Sequence, residues 1–209
     1  MNTAEHKTLL IRFLFDPSCP WAYRASLWLR EAAKVRPIEI RWEPFSLEYV
    51  NRNKVDGGYL RVLRRHRRAF RLLAKSRQVA GNRGIAALYA AVGAARHEQR
   101  RALNDENMLE QAVNEAGLPP EILALTNFDP ELDAMLEARY AQFVEQGAFG
   151  VPTLFIDDHP DPFYGPLIDV VPTGEAAGEL WDHVSALIRL PYFYELKRNP
   201  SSIQARMPG

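Results

Sequence analysis

The sequence predicts an α/β fold in which a strand–helix–strand unit, a long helical stretch, and a strand pair closed by a helix follow one another. Three observations predict it. A β-rich apolar run passes through a Pro-Ser-Cys-Pro turn into an amphipathic helix and then an alternating strand, all within about forty residues. From Gly57 to about Gly147 the texture is helical, rich in Ala, Leu, Arg and Glu. Beyond Gly147 strand patterning returns, and a last helix runs from about Gly174 to Leu190.

Taken in order, TLLIRFLFD (Thr8 to Asp16) is a nearly continuous apolar run, as a central buried strand requires. After Asp16 and Pro17, Ser18 is expected to cap a helix whose first turn holds Pro20, where a missing N–H costs nothing. That helix carries Tyr23, Leu27, Trp28 and Ala32 on one face and stops before Pro37. IEIRWEPFSL alternates Ile38, Ile40 and Trp42 with Glu39, Arg41 and Glu43, the period of a strand. The strand–helix–strand order implies a parallel pair with a right-handed crossover. Breaks at Gly81-Asn82-Arg83-Gly84 and Gly117-Leu118-Pro119-Pro120 divide the helical stretch into four or five helices. In DENMLEQAVNEAGLPP, Met108, Leu109, Ala112, Val113 and Ala116 share a face, and Gly117 ends the helix. GVPTLFIDDHPDPFYGP supplies a strand from Thr153 to Ile156, a polar turn through Asp157-Asp158-His159, and a second strand about Phe163-Tyr164. A proline-punctuated tail follows the last helix, and no internal repeat or low-complexity linker interrupts the chain.

With 209 residues, 47% of them hydrophobic, the chain suffices for one well-cored domain with a sub-domain inserted. Its 26 basic and 26 acidic residues cancel, so no global charge draws it to nucleic acid or a membrane surface. The start, MNTAEHKTLLIRFLF, has an apolar run too short for a signal peptide or a membrane span, and a cytoplasmic location is expected. The single cysteine cannot form an internal disulfide, which agrees with a reducing compartment. The five histidines are scattered, no Cys/His spacing suits zinc, and no phosphate-binding loop or G-x-S-x-G occurs.

Chemistry concentrates in FDPSCPWAY. Cys19 lies after a strand and at a helix start, where unpaired N–H groups and the macrodipole favour thiolate over thiol. Its pKa is therefore expected below the free value of about 8.5. Trp21 should be partly exposed beside it, offering an aromatic face to a substrate. Far along the chain, Gly150-Val151-Pro152-Thr153 places a proline directly before a strand, where an x-Pro bond is often cis.

A Cys-Pro-x-x turn at a βα junction together with this distant Val-Pro-Thr resembles the DsbA-like branch of the thioredoxin superfamily. That resemblance implies a thioredoxin-fold domain over 1–56 and 148–209, interrupted by an all-helical domain over 57–147. FDPSCPWAY, SLEYVNRN, NEAGLPP, FYGPLIDVVPTGEAAGELWD and PYFYELKR are similar to segments of the actinobacterial mycothiol-dependent nitroreductase family. The implied activity is that of a thiol-disulfide oxidoreductase. Its co-substrate would be a low-molecular-weight thiol (mycothiol, bacillithiol or glutathione), with no tightly bound cofactor and no metal. The implied partners are that thiol and a disulfide or electrophilic substrate, with no nucleic acid and no membrane, in a monomer or homodimer. The same resemblance points to Cys19 as catalytic residue, to Pro20, Trp21, Asn51, Tyr59 and His97 as substrate or thiol contacts, and to Val151 and Pro152 as the loop that pairs with an extended ligand.

One departure decides among mechanisms. The family's quartet ends in cysteine, and here Ala22 stands in its place, so intramolecular resolution of a mixed disulfide is excluded. A monothiol route remains, in which a second small thiol completes the cycle. A thiol transferase or isomerase of the kappa-class or hydroxychromene-carboxylate isomerase type is the alternative, and a non-catalytic binding module a third. In RVLRRHRRAFRLLAKSR, Leu60, Leu63, Phe70 and Leu73 form a stripe with His66 and Arg67 in its gap. His66 and Arg67 are expected to face the cleft and pair with carboxylates of a thiol ligand, with Arg64, Arg65, Arg68 and Arg71 solvated. Without interleaved aromatics this basic run does not read as a nucleic-acid surface.

Overall fold

The computed structural model describes residues 8–55, 57–157 and 159–198. The start of the stretch MNTAEHKTLLIRFLF, Asp158 of the polar turn and the end of the tail lie outside these.

The long apolar run forms β1 (Leu9–Phe15), with Ile11, Phe13, Leu14 and Phe15 fully buried. After α1 (Pro20–Ala32) the alternating segment forms β2 (Ile38–Pro44), parallel to β1 from Leu9 opposite Ile38 to Phe15 opposite Pro44. After the helical stretch come β3 (Thr153–Ile156), β4 (Phe163–Tyr164) and α7 (Glu175–Ile188). The sheet order is β2-β1-β3-β4, with β3 antiparallel to both its neighbours.

The cap of α1 differs from the expectation. Cys19, not Ser18, is the N-cap, and its sulfur accepts from the Ala22 N–H at 3.5 Å. Ser18 turns back instead, its N–H and hydroxyl donating to Asp16 Oδ1 at 2.8 and 2.6 Å. The buried carboxylate needs those donors, and a residue two positions on is placed to supply them. A helix the sequence pattern did not announce, α2 (Leu47–Asn51), follows β2, and its Leu47 N–H donates to Asp16 Oδ2 at 2.8 Å.

The helical stretch comprises α3 (Gly57–Arg64), α4 (Arg67–His97), α5 (Glu106–Glu115), a 3₁₀ turn over Pro120–Thr126, and α6 (Pro130–Glu145). The expected break at 81–84 is a kink inside α4, with Ala80 at φ −132° and Gly81 at φ 61°, a left-handed value that suits glycine. The apolar stripe is divided between α3 and α4, joined at Arg65-His66, and Leu60, Leu63, Phe70 and Leu73 are all buried. Arg71 is not solvated: it is buried, paired with Asp133 at 2.6 and 2.7 Å, and donates to the Thr126 and Asn127 carbonyls. A guanidinium with five donors can be buried when carboxylate and carbonyls meet them together.

One apolar cluster runs from β1 and β2 through α1, α4, α5 and α7. Trp28 and Trp181 meet 6.1 Å apart between α1 and α7, with the Trp28 indole donating to the Ala177 carbonyl at 3.0 Å. Among the described residues no helix is long and apolar enough to cross a membrane.

Candidate active site

The strand order brings together two segments more than half the chain apart. Because β3 pairs antiparallel with β1, Thr153 lies opposite Leu14, so the residues entering β3 lie beside those leaving β1. Val151 therefore meets Cys19. The Val151–Pro152 bond is cis, and the Cys19 thiol donates to the Val151 carbonyl with 3.7 Å between sulfur and oxygen. A second cis bond, Gly165–Pro166, lies alongside, and the Gly165 N–H donates to the Pro152 carbonyl at 2.9 Å. The Gly-Pro pair closing β4 was its only sequence signal.

The expected low thiol pKa is overturned. Burial pushes the Cys19 thiol up to about 11; the Ala22 N–H pulls the other way, and the Asp16 carboxylate adds to the rise. Only 8% of Cys19 is exposed, so the anion would lose most of its water, and the backbone N–H groups of Ala22 and Trp21 do not replace it. Asp16, which sequence reasoning passed over, is the hub of the turn. Burial raises its pKa, and the donors from Ser18 and Leu47 oppose that rise. Three donors and no competing acceptor fit a carboxylate that fixes β1, the cysteine turn and α2 together.

His97 comes to the site from the last turn of α4. Its Nε2 lies 2.9 Å from the Pro17 carbonyl, and its ring stacks on Tyr23 at 5.0 Å. Burial holds its pKa down at about 4, so the ring is neutral near pH 7 and Nε2–H is the donor. Its observed contacts make it a pin for the cysteine turn. Pro20 occupies the first helical position, and Trp21 is half-buried with the Arg24 guanidinium 5.5 Å over its ring. Tyr59 is 45% exposed; burial raises its phenol pKa, with Asp16 and Cys19 adding to the effect, which places it within electrostatic reach of the sulfur. Asn51 donates through Nδ2 to the Leu47 carbonyl at 2.9 Å, a bond within α2.

The two expected anion contacts are corrected. Arg67 is already forked onto Glu48, at 2.8 and 2.6 Å. His66, at the N-cap of α4, is held near a pKa of about 4 by burial and by the neighbouring Arg96, so it carries no charge to offer a carboxylate. Two further aromatics belong to the site: Tyr89, stacked on Phe15 with centroids 3.7 Å apart, and Tyr164 on β4. Burial raises both phenols, with Cys19 contributing. Their signal in the sequence was only aromatic identity.

Comparison with solved structures places the fold. A 2-hydroxychromene-2-carboxylate isomerase superposes with TM-score 0.64 at 20% identity, covering 87% of this chain and 95% of its own. The probable DsbA oxidoreductase SCO1869 from Streptomyces coelicolor gives 0.60 at 16% identity, with 92% and 94% covered. The cytosolic disulfide reductase DsbM from Pseudomonas aeruginosa, solved with GSH, gives 0.58 at 19% identity, with 86% and 100% covered. The architecture is thus a thioredoxin fold with a helical insertion, as in DsbA. In sequence, the uncharacterized protein Rv2286c of Mycobacterium tuberculosis (strain ATCC 25618 / H37Rv) is 32% identical over 198 residues, 91% of this chain and 82% of that protein. Residues 18–198 match the family described as Rv2466c-like, mycothiol-dependent nitroreductase Rv2466c. That match runs through both the cysteine turn and the cis-proline loop that the sheet brings into contact, and the chain therefore belongs to the Rv2466c-like family of mycothiol-dependent nitroreductases.

Proposed function

We propose that this chain is a thiol-dependent oxidoreductase that uses one sulfur of its own, Cys19, and takes the second from a low-molecular-weight thiol, mycothiol by the description of its family. The observation that carries the reading is the 3.7 Å approach of Cys19 Sγ to the Val151 carbonyl at the cis-proline, with a methyl group at position 22. An extended ligand pairing with the Val151 backbone would lie across the sulfur. With a mixed disulfide R′S–SR, the Cys19 thiolate attacks the SR sulfur, forms Cys19–S–SR and releases R′S⁻; a thiolate RS⁻ then attacks that bond, giving RS–SR and returning the Cys19 thiolate, so that R′S–SR is reduced at the expense of RS⁻. With a nitro compound, Cys19–SH and RSH together give Cys19–S–SR, the nitroso product and one water, and a further RSH clears the mixed disulfide. Asn51 and Tyr59 flank the ligand in this reading, and His97 holds the turn.

A sulfur protonated at pH 7 must be activated. The Val151 carbonyl holds its S–H in the free protein. A ligand N–H that takes that acceptor leaves the sulfur facing the Ala22 N–H and the α1 N-terminus, which favour the anion. The same high pKa favours a second reading, in which Cys19 stays a thiol and donates to the sulfur of a bound thiol that itself attacks an electrophile. Intact-mass analysis after incubation with mycothiol disulfide separates the two. A Cys19 adduct removed by free mycothiol is expected. Turnover of an electrophile that survives Cys19→Ala would assign the second reading, and neither result would leave a binding module.

A further inference from the structure

Phe149 is 63% exposed and Tyr164 39%, yet their rings stack with centroids 5.2 Å apart and planes 26° from parallel. Phe149 stands two residues before the Val151 carbonyl that receives the Cys19 thiol, and Tyr164 pairs with Thr153 across β3 and β4. Gly150 eases the arrangement: a Cβ there would lie 3.1 Å from the Tyr164 ring, tighter than most real contacts, and would press the ring away by a few tenths of an ångström. Two large, partly exposed rings thus stand stacked on the cis-proline side of the sulfur, with half-buried Trp21 on the helix side. Aromatic faces kept in water recover their hydration cost when another ring covers them, and they reward a planar partner over a puckered one.

We infer that the Phe149–Tyr164 stack is the specificity wall of the site, reading the ring of a planar aromatic substrate held beside Cys19. The inference rests on the oxidoreductase reading only for its setting; an aliphatic thiol has no flat face for such a wall, so the ring belongs to the second substrate.

The test is an NMR titration of the reduced protein, without added thiol, against nitrobenzene and nitrocyclohexane, which share a nitro group and a six-carbon ring but differ in planarity. Nitrobenzene is expected to bind more tightly and to shift the Phe149 and Tyr164 ring signals. Phe149→Ala should weaken nitrobenzene roughly three- to tenfold, the range of one aromatic contact, and change nitrocyclohexane by less than about twofold. Phe149→Leu, which keeps bulk without a π-face, should resemble Phe149→Ala. Equal losses for both ligands, unchanged nitrobenzene binding in Phe149→Ala, or full affinity in Phe149→Leu would overturn the wall. No turnover enters this measurement, so wild-type protein that mycothiol disulfide fails to label would defeat the oxidoreductase reading and not this one.

Discussion

At Cys19 two opposed effects meet in one side chain. The open first turn of α1 favours the anion by about 1 kcal/mol, whereas the rise of the thiol to about 11 corresponds to about 3 kcal/mol against it. Burial wins, leaving ~10⁻⁴ of the free protein's sulfur as thiolate at pH 7. Alkylation by iodoacetamide should therefore keep accelerating between pH 9 and about 11; a plateau below about pH 8.5 would show a thiolate site. His66 and His97 carry a second pH effect. Both titrate at about 4 in the fold against 6.5 for the ordinary side chain, so the unfolded chain binds more protons between those values. Stability should rise with pH across that window and level off above it. Comparing urea midpoints at pH 5 and 7, His97→Gln should show a shallower rise than wild type; an identical rise would mean His97 titrates normally in the fold.

Between elements, the cysteine turn is steadied by the closeness of α1 and α4. A Cβ at Gly93 would fall 2.5 Å from the Tyr23 ring, which stacks on His97 and donates its hydroxyl to Glu98 at 2.6 Å. Gly93→Ala should push Tyr23 outward, cost about 1–3 kcal/mol in urea unfolding, and perturb the His97–Pro17 bond. Unchanged stability would show that α4 can retreat without loss. The kink in α4 has a use of its own. It lets Asn82 accept from the Trp42 N–H at 3.0 Å and donate to the Ile40 carbonyl at 2.7 Å, covering the open edge of β2. Arg77 also donates to the Trp42 carbonyl. An edge strand paired by side chains is a poor template for a second chain.

For the molecule as a whole, Glu43 joins sheet to helices. It is buried on β2 and accepts from Arg77 of α4 at 3.2 Å and Arg139 of α6 at 3.3 Å. Hydrogen bonds to a charged group exceed neutral ones, so Glu43→Ala should cost about 2 kcal/mol, seen as a lower urea midpoint. A midpoint within error of wild type would show that the shared apolar core alone sets the helices on the sheet.

The sequence by itself determined the strand–helix–strand start, the helical middle and the closing strand pair with its helix, the spans of β1, β3 and β4 to within a residue, the helical face of α5, and the placing of Cys19 at a βα junction and Pro152 at a strand entry. Those are consequences of local chemistry: side-chain period, proline geometry and turn residues act within a few positions. Only the tertiary structure decided that Val151 holds the thiol, that His97 reaches Pro17, that Glu48 already occupies Arg67, and that Asp16 and Tyr164 belong to the site. The misjudged ionisation of Cys19 has the same origin. A helix terminus can be read from nearby residues, but how much water a sulfur loses depends on segments 132 positions away packing over it, and desolvation outweighs the N–H groups of the first helical turn.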